Sequence, residues 1–505
     1  MRSNTMFFPS LYALLGLMSL SFAAIDTRRT QCEPWTVDKK NRIFVLTDIA
    51  NEPDDTMSLV RLLVHSDLYD VQGLVAITSI WLPNATYPNL IQELVDAYGT
   101  VQENLQTHSN STFPTAEYLS SKISSGSTKY GMQALKALEA GSELTAGAQQ
   151  LIDAVDASDE PLYVQIWGGS NTLAEALWSV NRTRPALELS TFTSKIRAYS
   201  TSDQDDTGIW IRRNFPDMRY IASRHGFNQY SPAAWSGISS LTVDVGGGDP
   251  YIVSQEWLTA NIQQVGPLGK LYPDVAFIME GDTPSLLYNI PNGLGDPEHP
   301  SWGSWGGRYM PIPLDSDAQY SDTVDYVQGV NGQTFGTNHA TIWRWRDAFQ
   351  HEFAARMQWT LEANGPGSNT THPPVVVVNN SCGSSALKLN VSVGQNITLD
   401  ASTTFSPDEN AKLNFTWFQY KEPSTFLQSP RQVPVINFTY PSGSEGRAVE
   451  FTVPSPDKGY CVAPEDVTEF GHWGEESKCP IFHVVVAVKA LDVPNPITRY
   501  RRVVL

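Results

Sequence analysis

The stretch RIFVLTDIANEPDD, residues 42–55, decides the reading of this chain. Its first half is an unbroken apolar run of strand length, and continuous rather than alternating hydrophobicity means a strand buried on both faces. Its second half collects Asp48, Asn51, Glu52, Asp54 and Asp55 within eight residues. A buried strand therefore opens at its carboxyl end into a dense set of oxygen donors. A segment with helical spacing, 56–68, follows directly.

Outward from this stretch the same kind of run recurs at 71–79, 161–169 (PLYVQIWGG), 195–202, 218–225 and 274–282 (DVAFIMEGD). Segments with helical spacing lie between, at 90–99, 146–155 and 172–180. Strand, helix, strand in repetition predicts an α/β domain with a mainly parallel sheet, here over residues 42–363. Ligands of such sheets bind outside the carboxyl ends of the strands. Those ends carry Asp48, then Ser170 and Asn171, then Asp205 and Asp206, then Glu280 and Asp282, so acidic and polar groups gather on one edge. Residues 364–374, rich in Gly, Pro and Ser, read as a linker. Beyond it, 375–505 carries short β-rich runs at 375–378, 387–393, 396–400, 413–420, 448–453 and 481–490. These predict an all-β, immunoglobulin-like sandwich domain. It has no acidic cluster of its own, so an accessory or spacer role is expected of it.

With 505 residues, 41% of them hydrophobic, the chain can fill more than one packed core. Basic residues number 34 against 53 acidic ones, a net charge of −19, and this field repels phosphate backbones and anionic lipid. Nucleic-acid polymers are excluded as partners on that ground. Arg2, an apolar run over 11–22 and the small residues Ser21, Ala23 and Ala24 read as a signal peptide over residues 1–24. Cleavage there would leave an N-terminal arm over 25–41 and no membrane anchor, the run being shorter than the roughly 20 residues that span a bilayer. Nine Asn-x-Ser/Thr sequons, at Asn84, Asn110, Asn181, Asn369, Asn379, Asn390, Asn396, Asn414 and Asn437, suit the same secretory, extracellular route. Four cysteines allow three pairings in an oxidising compartment, and the expected ones are Cys32–Cys382 and Cys461–Cys479. No two stand at the C-x2-C spacing of a zinc site. The oligomeric state is left open.

Carboxylates as close in sequence as Asp48, Asp54 and Asp55 repel one another unless a cation or protons offset the charge. Oxygen donors without Cys or paired His favour Ca2+ or Mg2+, and abundant extracellular calcium favours Ca2+. The alternative, helix N-terminal acids matched to the helix dipole, would account for one of Asp54 and Asp55.

The run 45–55 resembles the amino-terminal signature of the nucleoside hydrolase superfamily, in which an aspartate-rich loop after the first strand binds calcium. The resemblance implies Ca2+ as cofactor, Asp48 as general base and metal ligand, and Asp54 or Asp55 as a further ligand. The segment 168–177 is similar to the family's Gly-Pro-Leu-Thr-Asn-Leu-Ala stretch, which implies a ligand at the position of Asn171. The last calcium aspartate of the family corresponds to Asp282, with Glu280 beside it. In nucleoside hydrolases a histidine precedes that aspartate, whereas here the run is Met279-Glu280-Gly281-Asp282. Nearly the whole mature chain further resembles the secreted, cellulose-binding, nucleoside-hydrolase-like proteins that carry a carboxyl-terminal β-sandwich. The stretches that carry this likeness are TDIANEPDD (47–55), SDQDDTG (202–208), EGDTPS (280–285), IPNGLGDP (290–297), WGSWGGRY (302–309) and WRWRDAF (343–349).

Such a site implies a glycosidase-type hydrolase acting on a carbohydrate such as a cell-wall glycan, with Asp48 taking a proton from water at an anomeric carbon. Glu52, Asp205 and Asp206, with His225 or His339 behind them, are candidates to protonate the leaving group. Asn51, Trp81, Glu280, Trp302, Trp305, Arg308 and Tyr309 are expected to contact substrate, the rings by stacking on sugar faces and Arg308 as a clamp. Trp343, Arg344 and Trp345 lie in a helical stretch and are expected in the core. A nucleoside N-ribohydrolase and a non-catalytic carbohydrate-binding protein are the alternatives.

Overall fold

The computed structural model describes residues 32–33, 37, 39–312, 318–361, 370–409, 411–424, 430–455 and 482–505. The expected signal peptide, the Cys461–Cys479 pairing and residues 364–369 of the linker lie outside these. Strands β1 (Asn41–Thr47), β2 (Tyr69–Ala76), β3 (Ile123–Ser125), β4 (Leu162–Ile166), β5 (Ile196–Ser200), β6 (Arg219–Ala222), β7 (Tyr309–Pro311) and β8 (Gln319–Asp322) form one sheet in the order β3-β2-β1-β4-β5-β6-β8-β7. All neighbours are parallel except β7 and β8. The continuous hydrophobicity of β1 has its cause here. Ile43 and Val45 pack into one core, Phe44 and Leu46 into another on the opposite face, all fully buried.

The chain winds outward from β1 through β2 to β3, crosses back to β4, and winds outward again on the other side. This reversal leaves a crevice at the carboxyl ends of β1 and β4. Leu46 pairs with Ile166, so the two strands end level with one another and their following loops share that crevice.

The run 274–282 is not a strand, contrary to the expectation from its apolar pattern. Phe277 is 90% exposed with φ +66°, so the run does not lie between two apolar layers. The place beside β6 belongs to β8, a polar segment held by backbone hydrogen bonds and by its antiparallel partner β7. A hairpin, β9 (Asp325–Gln328) with β10 (Thr334–Thr337), and the helix Arg346–Gln358 complete this half.

In the carboxyl-terminal region β11 (Leu387–Lys388), β16, β15 and β13 (Lys412–Gln419) form a four-stranded sheet, with β15 spanning His483–Leu491 and β16 Thr498–Val504. Strands β12 (Asn396–Asp400) and β14 (Ala448–Thr452) pair antiparallel. Leu399, Trp417, Val449 and Val486 share its core. Cys32 and Cys382 are disulfide-bonded, as expected.

This region is not a detached spacer. Tyr420, Val485, Ile497 and Tyr500 belong to the same apolar cluster as Trp305 and Phe349 of the α/β half. Arg499 donates to Glu352 at 2.8 Å, Tyr420 to Asp325 at 2.7 Å, and Arg502 to the Leu294 carbonyl at 2.7 Å. Removing residues 375–505 would uncover this surface, so the truncated chain is expected to be insoluble where the full chain is soluble. A milder check is Tyr500→Ala, which should lower unfolding stability by roughly 3 kcal/mol in a denaturant titration, the cost of emptying a buried aromatic site.

Candidate functional site

Three loops meet at the crevice. Asp48 follows β1 directly, and the chain then bends through Ala50, whose φ is 103°, into the helix Asp54–Val64. Asp54 and Asp55 occupy its first turn, where the helix dipole favours negative charge. Asp282 comes from the far side of the chain, immediately before the helix Thr283–Tyr288. Asp54, Asp55 and Asp282 are all buried, and each offers an oxygen within 4.8 Å of the others. The Thr47 hydroxyl donates to Asp55. Asp48 is buried beside them, packed so tightly on Gly168 that a Cβ there would stand 2.6 Å from its Oδ1.

Burial and mutual repulsion dominate the electrostatics. Asp48 is pushed up to about 6, by burial first and then by Glu52. Asp54 rises to about 7 through burial, Glu52 and Asp48. Asp55 and Asp282 lie well above the ordinary carboxylate range, for burial again and for the charges of the other acids. The charges that weigh most on Asp282 are those of Asp55, Asp54, Asp48 and Glu52. A set of buried carboxylate oxygens with no cationic side chain against it among the described residues fits a hard divalent cation, Ca2+ or Mg2+.

The remaining sequence-derived candidates separate into those at the cleft and those the fold uses otherwise. Glu52 is half-buried, its carboxyl raised by burial, and Asn51 and Trp81 are exposed, Trp81 to 45%. Asn171 begins the helix Asn171–Thr183; its side-chain amide donates to Thr78 at 2.8 Å and to the Lys129 carbonyl at 2.9 Å, leaving its buried carboxamide oxygen without a partner.

Asp205 and Asp206 each brace a neighbouring loop through backbone hydrogen bonds, Asp205 buried and Asp206 exposed. Asp205 accepts from the backbone of Thr207 at 2.8 Å and of Asn171 at 3.1 Å, and Asp206 from the backbone of Met132 at 2.7 Å. His339 is buried between Ser236 and the Ser231 carbonyl. Glu280 is corrected from a substrate contact to half of a buried ion pair with Arg61.

Trp302, Trp305, Arg308 and Tyr309 are also corrected, since none is free to meet a sugar. Trp305 and Tyr309 are fully buried, Trp302 stacks on His299 at 4.1 Å, and Arg308 pairs with Asp325 at 2.7 Å. The glycines around them serve close packing, as a Cβ on Gly306 would lie 2.1 Å from the Pro284 carbonyl oxygen. Trp343 and Trp345 are buried as expected.

Residues that the sequence did not single out form the other wall. The phenol of Tyr230 feels the charges of Asp48 and Glu52, and it accepts a hydrogen bond from Trp81 Nε1 at 3.1 Å. Trp235 packs 5.6 Å from Tyr230, and its ring would be 3.2 Å from a Cβ on Gly281, beside Asp54. The Ser202 hydroxyl joins Trp235 Nε1, at 3.0 Å, to His225 Nε2, at 2.7 Å. Tyr230 and Trp235 lie in a long irregular segment with no motif around them, so only the fold reveals them.

Two family models match the chain. One, described as "Cellulose-binding Sde182, nucleoside hydrolase-like domain", covers residues 42–309, and the other, "Cellulose-binding protein Sde0182, C-terminal domain", covers 396–505. Among solved structures, a nucleoside hydrolase-related hypothetical protein from Saccharophagus degradans, described as associated with carbohydrate metabolism, is similar at 30% identity with a TM-score of 0.71. The match covers 92% of this chain and 99% of that one. No curated protein matches.

A carboxyl whose folded-state pKa is raised binds its proton more tightly in the folded than in the unfolded chain. Stability of cation-free protein is therefore lost as pH rises from about 4 through the folded values of Asp48 and Asp54, about 6 and about 7. In chelator, Asp54→Asn should flatten that fall and gain roughly 1–3 kcal/mol at about pH 8. Thermal melts across the pH range check this, and an unchanged slope would remove the repulsion as its cause.

Proposed function

The chain belongs to the family of cellulose-binding, nucleoside hydrolase-like proteins, and on that premise we propose that it is a secreted, calcium-dependent glycoside hydrolase. It acts on a carbohydrate, a cell-wall glycan by preference, by water attack at an anomeric carbon. The observation that carries this reading is the buried Asp54–Asp55–Asp282 cluster beside Asp48, at a crevice whose opposite wall is aromatic.

Asp54, Asp55 and Asp282 would hold the cation. Bound Ca2+ would supply an electrostatic seat for vicinal sugar hydroxyls and for the attacking water. Asp48, held against Gly168 and raised to about 6 by burial, has the basicity to take the proton of that water near neutral pH. Glu52 and His225 remain at the crevice as groups able to protonate a leaving oxygen, Glu52 having its carboxyl raised by burial. The exposed ring of Trp81, braced by Tyr230, offers an apolar face to the C–H side of a sugar. Attack by water in one displacement inverts the anomeric centre.

A non-catalytic reading, in which the site orders loops of a cellulose-binding protein, draws on the printed description of both family models. Nucleoside hydrolysis is less well supported, because the run Met279-Glu280-Gly281-Asp282 holds no histidine to assist departure of a base.

The test is mass spectrometry of soluble products after incubation with a panel of cell-wall glycans and nucleosides, in calcium and in chelator. Sugar release that stops in chelator and falls roughly 100-fold or more in Asp48→Asn is expected. Free base would make the protein a nucleosidase, and binding to insoluble cellulose without product would make it a binding protein. In the same samples, calcium should raise the melting temperature at about pH 8 and less at about pH 5, where protons compete for the ligands.

A further inference from the structure

We infer that the buried Arg61–Glu280 pair is the positioning device of the acidic site, holding Asp282 against Asp54 and Asp55 and thereby setting the affinity for the cation. The inference rests on the calcium reading above and assigns roles to two residues that are not ligands.

Arg61 lies on the same helix as Asp54 and Asp55, and Glu280 lies two residues before Asp282. Their pairing therefore ties together the two chain segments that supply the carboxylates. The guanidinium meets the carboxylate with both edges, Nε to Oε2 at 2.5 Å and Nη2 to Oε1 at 3.1 Å, a two-point contact that fixes orientation as well as distance. Both side chains are at most 1% exposed.

Every other arm of the pair is also fixed. Tyr272 donates to Glu280 Oε1 at 2.7 Å, Arg61 donates to the Phe349 carbonyl at 3.0 Å and to Gln350 Oε1, and its guanidinium sits 4.1 Å from the centre of the Phe353 ring.

The backbone between Glu280 and Asp282 has no slack. Glu280 has φ +56°, a left-handed conformation that is unfavourable for a non-glycine residue and persists where its surroundings hold it. The next residue passes so close over Asp54 that a Cβ on Gly281 would lie 2.7 Å from its Oδ2. The turn then closes by a hydrogen bond from Thr283 N to the Glu280 carbonyl at 3.2 Å. A backbone shift that withdrew Glu280 from its pocket would carry Asp282, two residues on in the same closed turn, with it. Stability alone does not account for the pair, because apolar residues of similar volume commonly replace a buried ion pair without loss.

That exchange supplies the test. Calcium is titrated calorimetrically into chelator-treated full-length protein, comparing wild type, Arg61→Lys, and the combined variant Arg61→Met, Glu280→Met, Tyr272→Phe. The combined variant should melt close to wild type without calcium yet bind calcium roughly 10–100-fold more weakly. Arg61→Lys, which keeps the charge and loses the two-point contact, should fall between. A combined variant that folds and binds calcium as tightly as wild type overturns the positioning role. If it fails to fold, Arg61→Lys decides, and wild-type affinity there overturns the role equally. Wild-type protein that binds no calcium overturns the calcium reading itself, and the positioning role with it.

Discussion

Four carboxylates, those of Asp48, Asp54, Asp55 and Asp282, are buried together at the carboxyl end of one strand, and their repulsion is the constraint around which the crevice is built. Elsewhere three of the acids that the chain buries stand against arginines. Glu352 meets Arg356 and Arg499 and is held down to about 2, although burial alone would raise it. Asp325 meets Arg308 and Arg344 and is likewise lowered, its burial outweighed by their charges. Glu280, only two residues from Asp282, takes Arg61. The four acids at the crevice press chiefly on one another instead, the kind of mutual perturbation that clusters at functional sites.

Holding such a cluster in place demands a stiff frame, because each acid lowers its energy by turning away from the others. The helix that bears Asp54 and Asp55 is gripped beyond its far end, where Arg356 donates to the Val64 carbonyl at 3.0 Å and to Asp67 at 2.7 Å. Arg356 belongs to the helix Arg346–Gln358, whose Glu352 is in turn held by Arg499 of β16. The carboxyl-terminal sheet thus reaches the crevice through two helices, with Tyr500 and Tyr420 sealing the apolar surface between them. Its place in the molecule is that of a buttress. An acidic cluster of its own is not what gives it influence on the site.

How much of this was legible in the sequence depended on whether a residue's environment is set locally. The strands β1, β2, β4, β5 and β6 announce themselves because a strand covered on both faces must be apolar throughout, whatever its neighbours are. The donors at the end of β1 are equally local, since eight residues bring them together. The run 274–282 misleads because its composition is that of a buried strand while Phe277 faces water, and the slot beside β6 goes to the polar Gln319–Asp322 through pairing that no local pattern records. Trp302 and Trp305 mislead for a related reason. Tryptophans among glycines suit a stacking loop and a tightly packed interface alike, and what covers them comes from far along the chain, at His483 for Trp302 and Tyr500 for Trp305. Tyr230 and Trp235 carry no local signature at all.

The two walls of the crevice differ in a way that bears on what fits between them. One wall is acidic and suits hydroxyl groups or a cation that binds them. The other presents Trp81, Tyr230 and Trp235, with Trp81 left 45% exposed though its indole nitrogen is already hydrogen-bonded to Tyr230. An exposed indole whose polar edge is satisfied has only its apolar face left to offer. A pyranose or furanose is itself two-sided, with hydroxyls around its edge and C–H bonds across its face, so it can satisfy both walls at once. A cation site that served only to order loops would need the acids and would have no use for the ring. The exposed face of Trp81 therefore favours a ligand with an apolar face of its own, bound across the acids, over an ion bound there alone.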